Sequence, residues 1–471
     1  MKRRWRITAR IAAVAGILLL LCGAIVFAFF QKFYPAAPEA DFPKPQNLAE
    51  AQRQDLDYFA HYFDYNKAYS AEGLRKAKAL LAATRIKAGT LSKAQFELAI
   101  ARMVALADNG HSTLFMGPLS RANNRLPCRF YRFADGYYII RAKGACVPFL
   151  GARLTAIDGK SADAVADAMY LYSGGPRNHY IQFKAVMFFE SPELLHAAGL
   201  VHDTARETLT LLMPDGRKQM TTLDALPPDE KAPRVYSDSY LSPEPIEGED
   251  KSWTPLLARG TAMPQFLRDY ANPFHAHYDA AKRTYYVQFR DNADAGPYAI
   301  GPFVTQVKHD IQTLKPEFVI ADLRLDQGGN FTTTAGLMKD IAGLAPSIRH
   351  VYLLTSAWTF SAGIVSTALA KYHGGGKVTI VGENVGDRMA FWAEGGGMDL
   401  PNSKISIGFA TGLHDYQKPC WRERGCFWVL YFFPVHLKTL TPDVTVPYRF
   451  DDYVHGRDPL LERVHAMIAR P

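Results

Sequence analysis

The spacing of hydrophobic positions changes several times along the chain. Over residues 47–107, apolar residues recur at i, i+3, i+4 and i+7, a pattern that predicts amphipathic helices in LAEAQRQDLDYFAHYFDYN and SKAQFELAIARMVALA. Over residues 128–226 the apolar positions alternate in short runs, which indicates strands with one or two helices. Within that stretch, RFYRFADGYYIIRAK alternates on both sides of Asp135-Gly136 and predicts a hairpin. GARLTAIDGK likewise alternates and ends in an Asp-Gly turn.

Further along, strand-like and helix-like segments take turns. Residues 227–274 are rich in Pro, Asp and Glu with little periodicity, so we expect a linker or a long excursion. After residue 283 the alternating segments are TYYVQF, FVTQVKHDIQTL, FVIADLRL, TTAGLMKDIAGL, VYLLTS, SAGIVSTALAKY and KVTIVGE. The strand-like members are almost continuously hydrophobic, as buried parallel strands are. The sequence therefore predicts an α/β core.

One segment near the N-terminus is continuously apolar and shows neither the helical nor the strand periodicity. Residues 11–30, IAAVAGILLLLCGAIVFAFF, carry no charge and would span about 30 Å as a helix, the thickness of a bilayer core. A cleavable signal peptide has a shorter apolar region, although Ala36 and Ala37 leave cleavage as the alternative. The first ten residues hold five basic side chains and no acidic one. Positive charge before the span keeps the N-terminus cytoplasmic. We therefore expect a single-pass signal anchor in the inner (plasma) membrane, with the bulk of the chain in the periplasm or outside the cell.

These patterns divide the chain into seven segments. They are a cytoplasmic basic tail (1–10), a transmembrane signal anchor (11–30), a Pro- and Ala-rich stalk (31–45), an N-terminal helical region (46–120), a strand-rich region (125–226), a linker (227–275) and the α/β core (276–465).

Composition narrows the class of protein. Apolar residues make up 48% and charged residues 21% of the chain, which excludes a disordered chain, a collagen-like repeat and a small disulfide-stapled scaffold. The net charge is +8, but the tail supplies five of those charges. The rest of the chain lacks the basic stripe of a nucleic-acid-binding domain, so no nucleic-acid partner is expected.

The cysteines agree with an oxidising compartment. Four lie outside the membrane span, an even number, and their positions favour the disulfide pairs Cys128–Cys146 and Cys420–Cys426. Four unpaired buried thiols are the alternative. Since no C-x-x-C spacing occurs, no zinc site is expected, and nothing in the sequence calls for another metal or a cofactor.

Candidate chemistry lies where two predicted strands of the core end. In FVIADLRLDQGGN a buried strand runs into Gly328-Gly329, and paired glycines offer bare N–H groups to a developing oxyanion. An ordinary tight turn is the alternative. In VYLLTSAWTFSAG a strand and a short turn lead to Ser361 at the start of a helix, as in a nucleophile elbow. Here the alternative is that Ser361 serves only as an N-cap.

Taken together, three segments resemble the C-terminal processing peptidase (tail-specific protease) family. They are Asp322–Gly329, with its Asp-Leu-Arg and Gly-Gly elements, the Ser361-Ala362 turn, and Val381–Gly386, a Val-Gly-Glu-x-x-Gly strand. TPDV and YVHGRDPLLERV resemble the closing strand and last helix of that family, and GARLTAIDGK resembles a hairpin of its PDZ-like domain. The resemblance covers roughly residues 100–465. It implies a ClpP/crotonase-like α/β core, an N-terminal helical domain, a PDZ-like α+β domain at 125–226, and serine-type cleavage of peptide or protein substrates.

The resemblance also bears on the general base. One branch of the family uses a lysine shortly after the Val-Gly-Glu strand, where this chain has Asp387 and Arg388, so a serine–lysine dyad is not expected. The other branch, with tricorn-like proteases and retinoid-binding relatives, takes a histidine that follows the N-terminal helices. ALADNGHSTLF matches that segment with one extra residue and places His111 there. A histidine suits proton transfer at neutral pH; a structural loop histidine is the alternative. Candidates for the group that orients the histidine are Glu383, Ser112, Asp108 and Asp387.

The sequence thus predicts a membrane-anchored serine hydrolase. Ser361 is the expected nucleophile, His111 the base, and the N–H groups of Gly328, Gly329 and Ala362 the oxyanion donors. Two positions depart from the family pattern, since Asp326 replaces an asparagine and Ile364 a glutamate. The alternative is a catalytically inactive relative that binds a peptide or an apolar ligand in the same cleft.

Overall fold

The computed structural model describes residues 2–177, 181–232, 238–246, 249–258 and 261–469. It begins with one long helix, α1 (Lys2–Phe33). Within it, Ala13–Phe33 is long and apolar enough to cross a membrane, by length and composition alone. This stretch ends three residues beyond the span predicted from the sequence.

Short helices follow α1 and carry the caps that their sequences offer. Ser70 and Ser92 each accept a hydrogen bond from the first turn of the helix they precede, and Gln95 completes a capping box with Ser92. The elements of this part are α2 (Leu48–Phe59), α3 (Tyr62–Tyr65), α4 (Ala71–Ile86), α5 (Lys93–Ala105), β1 (Thr113–Leu114) and α6 (Met116–Ala122).

An antiparallel sheet forms next, as the alternating pattern predicted. Its strand order is β2-β3-β4-β6-β7, with β5 paired to β4 and β8 paired to β3. The predicted hairpin joins β2 to β3 and turns at Asp135-Gly136, where Gly136 has a φ of 141°. The elements are β2 (Cys128–Phe133), β3 (Gly136–Ala142), β4 (Arg153–Ile157), β5 (Lys160–Ser161), α7 (Ala162–Met169), α8 (Ile181–Phe188), α9 (Pro192–Ala197), β6 (Arg206–Leu212), β7 (Lys218–Asp224) and β8 (Thr254–Pro255).

The predicted α/β core is built on a six-stranded sheet of order β18-β13-β12-β11-β10-β9. All neighbours pair in parallel except β9 and β10. The elements that form it are β9 (Phe274–Asp279), β10 (Thr284–Phe289), α10 (Ile300–Leu314), β11 (Phe318–Asp322), α11 (Thr332–Asp340), β12 (His350–Thr355), α12 (Ala362–Gly374), β13 (Val378–Gly382), β18 (Val444–Thr445), α13 (Phe450–Val454) and α14 (Pro459–Ile468).

Both faces of this sheet are covered, which explains its continuous hydrophobic strands. Val319 and Ala321 of β11 lie in a cluster with α10, α11 and α12, whereas Ile320 between them packs with Leu460 and Val464 of α14. Because side chains alternate along a strand, β11 needs apolar residues at every position.

Four short strands between β13 and β18 were not predicted from the sequence. They are β14 (Ala390–Ala393), β15 (Gly396–Asp399), β16 (Ser406–Phe409) and β17 (Gly412–Asp415). β14 pairs with β17, and β15 with β16, which also pairs with β1. One apolar cluster contains side chains of the helical part, of the antiparallel sheet and of β15 and β16, so these parts share a core.

Two segments pack more closely than the sequence indicates. Phe33 is fully buried within the core, and the Tyr58 hydroxyl donates to Pro38 O at 2.6 Å, so the expected stalk (31–45) lies against the rest of the protein. In the expected linker (227–275), residues 233–237, 247–248 and 259–260 are outside the described part. Among its described residues, Leu241 and Phe266 are buried in the core, which fits the excursion rather than a loose linker.

Disulfides join Cys128 to Cys146 and Cys420 to Cys426, the two pairs favoured by their positions in the sequence. The first links the start of β2 to the turn that follows β3. The second closes a seven-residue loop after β17. Cys22, within α1, is an exposed thiol.

Candidate active site

Ser361 lies in the turn between β12 and α12 and has a strained backbone. Its φ is 50° and its ψ is −115°, a conformation that a non-glycine residue seldom adopts. Its side chain makes no capping hydrogen bond to α12, so the N-cap alternative has no support in this structure. A strained serine between a strand and a helix is the geometry of a nucleophile elbow.

The turn before Ser361 is fixed to the loop that follows β11. Thr359 Oγ1 donates to Leu323 O at 2.7 Å, and Phe360 N donates to Asp326 O at 2.8 Å. These bonds hold the strained serine beside the glycine pair that ends the neighbouring strand.

Gly328 lies directly against Ser361. A Cβ atom on Gly328 would be 2.6 Å from Ser361 Cβ and 3.1 Å from Ser361 Oγ, and the φ of Gly328 is 126°. Both the space and the backbone therefore require glycine. Gly329 follows with a φ of 114°, packed against the backbone of Asn292.

The N–H groups expected to bind an oxyanion are not equally available. Gly328 N donates to Asp326 Oδ1 at 3.1 Å, so this N–H already has an acceptor. In the part of the chain that the structure describes, the N–H groups of Gly329 and Ala362 have no hydrogen-bond partner. The Ala362 N–H is also at the N-terminus of α12, where the helix dipole favours negative charge.

Asp326 organises this loop, although the sequence analysis noted it only as a departure from the family pattern. Its Oδ1 accepts from Asn292 Nδ2 at 2.6 Å, while Asn292 N donates to Gly328 O at 2.7 Å. Its Oδ2 is buried without a hydrogen-bond partner among the described residues. Burial raises the pKa of Asp326 to about 8, so the carboxyl is mostly protonated at pH 7. An acidic residue two positions before Gly-Gly, close to the end of a buried strand, is the feature of the sequence that could have indicated it.

His111 lies beside Phe360, the residue before Ser361. Their ring centroids are 4.4 Å apart, and Phe391 stacks on the other face of the imidazole at 5.4 Å. Both ring nitrogens are buried and have no hydrogen-bond partner in the described part, so no hydrogen bond joins His111 to Ser361. Burial lowers the pKa of His111 to about 3, helped by the nearby charges of His414 and Lys184. The imidazole is therefore neutral at pH 7.

The loop that carries His111 is attached to the unpredicted strands. Asn109 exchanges two hydrogen bonds of 3.0 Å with the backbone of Trp392 in β14, and β1, which follows the loop, pairs with β16. The strands β14 and β16, far from His111 in the sequence, thus position the loop that carries it.

A buried lysine and a buried carboxylate contact Gly110, next to His111. Lys184 Nζ of α8 donates to Gly110 O at 3.0 Å, and Gly110 N donates to Asp387 Oδ2 at 3.2 Å. Burial lowers the pKa of Lys184 to about 8, although the negative charge of Asp387 acts to raise it. Burial also raises the pKa of Asp387 to about 6. The sequence analysis missed Lys184, although it is the one charged residue in the apolar helix IQFKAVMF.

The other candidates for an orienting group have different partners. Ser112 donates to Asn66 inside a buried polar cluster, and Asp108 pairs with Arg388 at 2.9 Å on the surface. Glu383 accepts from Tyr448 N at 3.4 Å and lines a small cleft together with Tyr131 and Trp358. Of the four candidates, Asp387 is the one whose side chain accepts a hydrogen bond from Gly110, the residue before His111.

The imidazole of His111 also belongs to a column of stacked rings. Phe391 stacks on His414 as well, at 5.1 Å and an interplanar angle of 7°. His414 Nε2 is 3.0 Å from Glu394 Oε1, and the other carboxylate oxygen of Glu394 accepts a hydrogen bond from the hydroxyl of Tyr34. Because Tyr34 directly follows α1, the column connects the candidate site to the end of the apolar helix.

Among the residues that the structure describes, no three His, Cys, Asp or Glu side chains are grouped so that they could hold a metal ion.

The fold is that of solved structures of CPAF. Mature CPAF matches with a TM-score of 0.54 at 12% identity, over 89% of this chain and 97% of the other. Mature CPAF complexed with lactacystin matches with a TM-score of 0.55 at 12% identity, over 89% and 98%. A photosystem II D1 C-terminal processing protease matches with a TM-score of 0.38 at 11% identity, over 87% and 98%. No family model and no curated protein matches the chain.

Proposed function

We propose that this protein is a membrane-anchored serine peptidase of the C-terminal processing (S41) type. The observation that carries the proposal is the strained Ser361, which faces Gly328 and adjoins the unpartnered N–H group of Ala362. Strain at a non-glycine residue persists only where the surroundings enforce it, and it concentrates at functional sites. The likeness in fold to mature CPAF supports the proposal.

In the proposed reaction, Ser361 Oγ attacks the carbonyl carbon of a peptide bond. The N–H groups of Gly329 and Ala362 donate to the oxyanion that forms, and Gly328 provides the space for this approach. The amine then leaves with a proton, and water hydrolyses the acyl-enzyme to regenerate the serine.

His111 is the proposed base. Its neutral ring has an unused lone pair, and it lies against the residue that precedes the nucleophile. The imidazole must shift to come within hydrogen-bond reach of Ser361, as catalytic pairs often do when substrate binds. Lys184 and Asp387 act through Gly110 as positioning residues for the histidine loop.

We further assign the sheet of β2, β3, β4, β6 and β7, together with α7, as the PDZ-like domain. Its register and its hairpin at Asp135-Gly136 support this assignment. The sheet of β9–β13 and β18 is the ClpP/crotonase-like core, and α1 anchors the protein with its bulk on the outer side of the membrane.

Labelling with a fluorophosphonate tests the proposal. The full chain in detergent is treated with the probe alongside Ser361→Ala and Ser403→Ala, the latter removing an exposed serine remote from the elbow. We expect the wild type and Ser403→Ala to be labelled equally and Ser361→Ala to remain unlabelled. Labelling of Ser361→Ala at the wild-type rate would exclude Ser361 as the nucleophile.

One observation favours the second candidate, an inactive relative that binds a peptide or an apolar ligand. The His111 nitrogens are buried between aromatic rings, and the N–H of Gly328 is already occupied. If this candidate is right, the fluorophosphonate does not label the wild type. The wild-type protein still binds peptides from an immobilised library, and Ser361→Ala binds the same peptides equally well.

A further inference from the structure

The apolar helix ends against a loop that presents aromatic side chains to the outside. Phe29 and Phe33 of α1 pack on Trp428, with ring centroids 6.1 and 5.6 Å apart. Both also pack on Phe427, at 5.7 and 5.0 Å. Since a helix rises 1.5 Å per residue, Phe29 lies about 6 Å deeper along the axis than Phe33. Trp428 therefore lies level with the last turn of the candidate span.

Three aromatic side chains of the same loop are exposed. Trp421 is 59%, Tyr431 43% and Phe432 78% accessible, and we call these three residues the aromatic patch. The loop is held in place, because a disulfide joins Cys420 to Cys426 and Leu413 N of β17 donates to Gly425 O at 2.7 Å. Large apolar rings that are exposed on a fixed loop are unfavourable in water, and such surfaces mark sites of contact with a membrane or another protein.

The charges around the patch fit a membrane surface. Arg422 and Arg424 are exposed within the disulfide loop, while the acidic residue between them, Glu423, pairs with Lys418 at 3.3 Å. Lys32 Nζ lies 5.0 Å from the Trp428 ring, at the end of the span. Tryptophan and tyrosine concentrate at membrane–water interfaces, and basic side chains there attract anionic lipid headgroups.

We propose that the aromatic patch inserts into the interfacial layer of the membrane that α1 spans, with Arg422 and Arg424 at anionic headgroups. The inference rests on the proposed anchoring by α1. The patch gives the protein a second membrane contact beside its helix, and this contact fixes the orientation of the outer part relative to the bilayer.

Depth-dependent quenching tests the patch. The full chain with Cys22→Ser receives Phe432→Cys and a polarity-sensitive fluorophore, and is reconstituted in vesicles of phosphatidylcholine and phosphatidylglycerol. Met220→Cys is the control, since Met220 is similarly exposed, at 70%, on β7 of the antiparallel sheet. We expect the probe at position 432 to emit at shorter wavelength and to be quenched by lipid spin-labelled near the headgroup rather than by iodide. The control should show the reverse.

The outcomes separate the two proposals. Carbonate extraction of the same vesicles reports whether α1 spans the bilayer. If the protein resists extraction and the probe at 432 is quenched by iodide, the patch proposal is wrong and the anchor stands. Protection from both quenchers indicates that a protein covers the patch, which also overturns the proposal. If carbonate releases the protein, both proposals fail. Arg422→Gln with Arg424→Gln should reduce the spectral shift in vesicles containing phosphatidylglycerol but not in phosphatidylcholine alone.

Discussion

At the scale of single residues, the candidate site combines a strained serine with ionisable groups whose pKa values burial has moved. His111 is held neutral down to acidic pH, Lys184 loses part of its preference for the charged form, and Asp387 gains a proton more readily than an ordinary aspartate. Each of these groups contacts Gly110 or adjoins it. The pH dependence of the reaction can therefore show which of them takes the proton from Ser361.

If His111 is the base, its pKa of about 3 keeps the buried imidazole in the proton-accepting form across the neutral range, and the ring becomes a stronger base only when it moves out of its buried position towards Ser361. We expect His111→Ala to lower kcat/KM by about 10²–10⁴-fold. Combining it with Ser361→Ala should cost little more, because members of one catalytic unit are not additive. Arg388→Ala, which removes an exposed side chain that pairs with Asp108 and donates to the Asp108 carbonyl, should leave fluorophosphonate labelling largely intact.

A rise in kcat/KM through pH 8 that Lys184→Met abolishes would instead make Lys184 the base, since its pKa is about 8. The measurement is the pH profile of kcat/KM for wild type, His111→Ala and Lys184→Met with one peptide substrate.

Asp326 should make stability depend on pH. Its pKa is about 8 in the folded protein, above the ordinary 3.8, so the folded state holds a proton that the unfolded state has released between these values. Its contribution is complete below pH 4 and is lost as the pH rises through 8, with a slope of at most about 1.4 kcal/mol per pH unit. Asp326→Asn removes the titration. We therefore expect the urea midpoint of Asp326→Asn, relative to that of the wild type, to be higher at pH 9 than at pH 5. A difference between the two midpoints that is the same at both pH values would contradict the raised pKa.

At the scale of elements, the glycine pair after β11 and the turn before α12 form one unit. Gly328→Ala would place a methyl group 2.6 Å from Ser361 Cβ and force alanine to a φ of 126°. We expect a strain of about 1–3 kcal/mol and loss of fluorophosphonate labelling. Gly336→Ala is the matched control, because that helical site has only the Lys308 amino group within contact, at 3.4 Å. Equal labelling of both variants would remove Gly328 from the site.

The core strands could be predicted from the sequence because their pattern of apolar residues follows directly from their burial. β10, β11, β12 and β13 are covered on both faces, so their residues are apolar at consecutive positions and stand out. The strands β14–β17 are four residues long, contain several glycines and were missed, although they position the histidine loop.

Within the site, short motifs indicated Ser361, the glycine pair and His111. Lys184 and the protonated Asp326 were missed, since their roles depend on what the fold packs around them. The stalk predicted at 31–45 packs more closely than its composition indicates. Its Pro- and Ala-rich composition suggests a spacer, but its backbone carbonyls accept hydrogen bonds from Tyr58 and Gln54, as at Pro43 O (3.0 Å).

At the scale of the whole molecule, the last turn of the apolar helix belongs to the core, through the buried Phe33 and through Phe29, which packs against the same cluster. Phe33 is fully buried, whereas Phe30, one turn earlier, is 55% exposed. We expect Phe33→Ala to destabilise the folded part that follows α1 by about 3–5 kcal/mol, as for other buried aromatic truncations. Phe30→Ala should have little effect. Thermal unfolding of the full chain in detergent, followed by tryptophan fluorescence, measures both, and equal midpoints would show that Phe33 is not part of the core.

Under the proposed anchoring by α1, the burial of Phe33 bears on how the protein could be released from the membrane. A protease that cut the chain at Ala36 or Ala37 would separate Phe33 and Tyr34 from everything that follows them. The released fragment would then have a cavity beside Phe427 and Trp428, where the Phe33 ring now packs. Glu394 would lose the hydrogen bond that the Tyr34 hydroxyl now donates to it. If α1 anchors the protein as proposed, release by such a cut would therefore separate the folded part from Phe33 and Tyr34, two residues that it now packs around or hydrogen-bonds to.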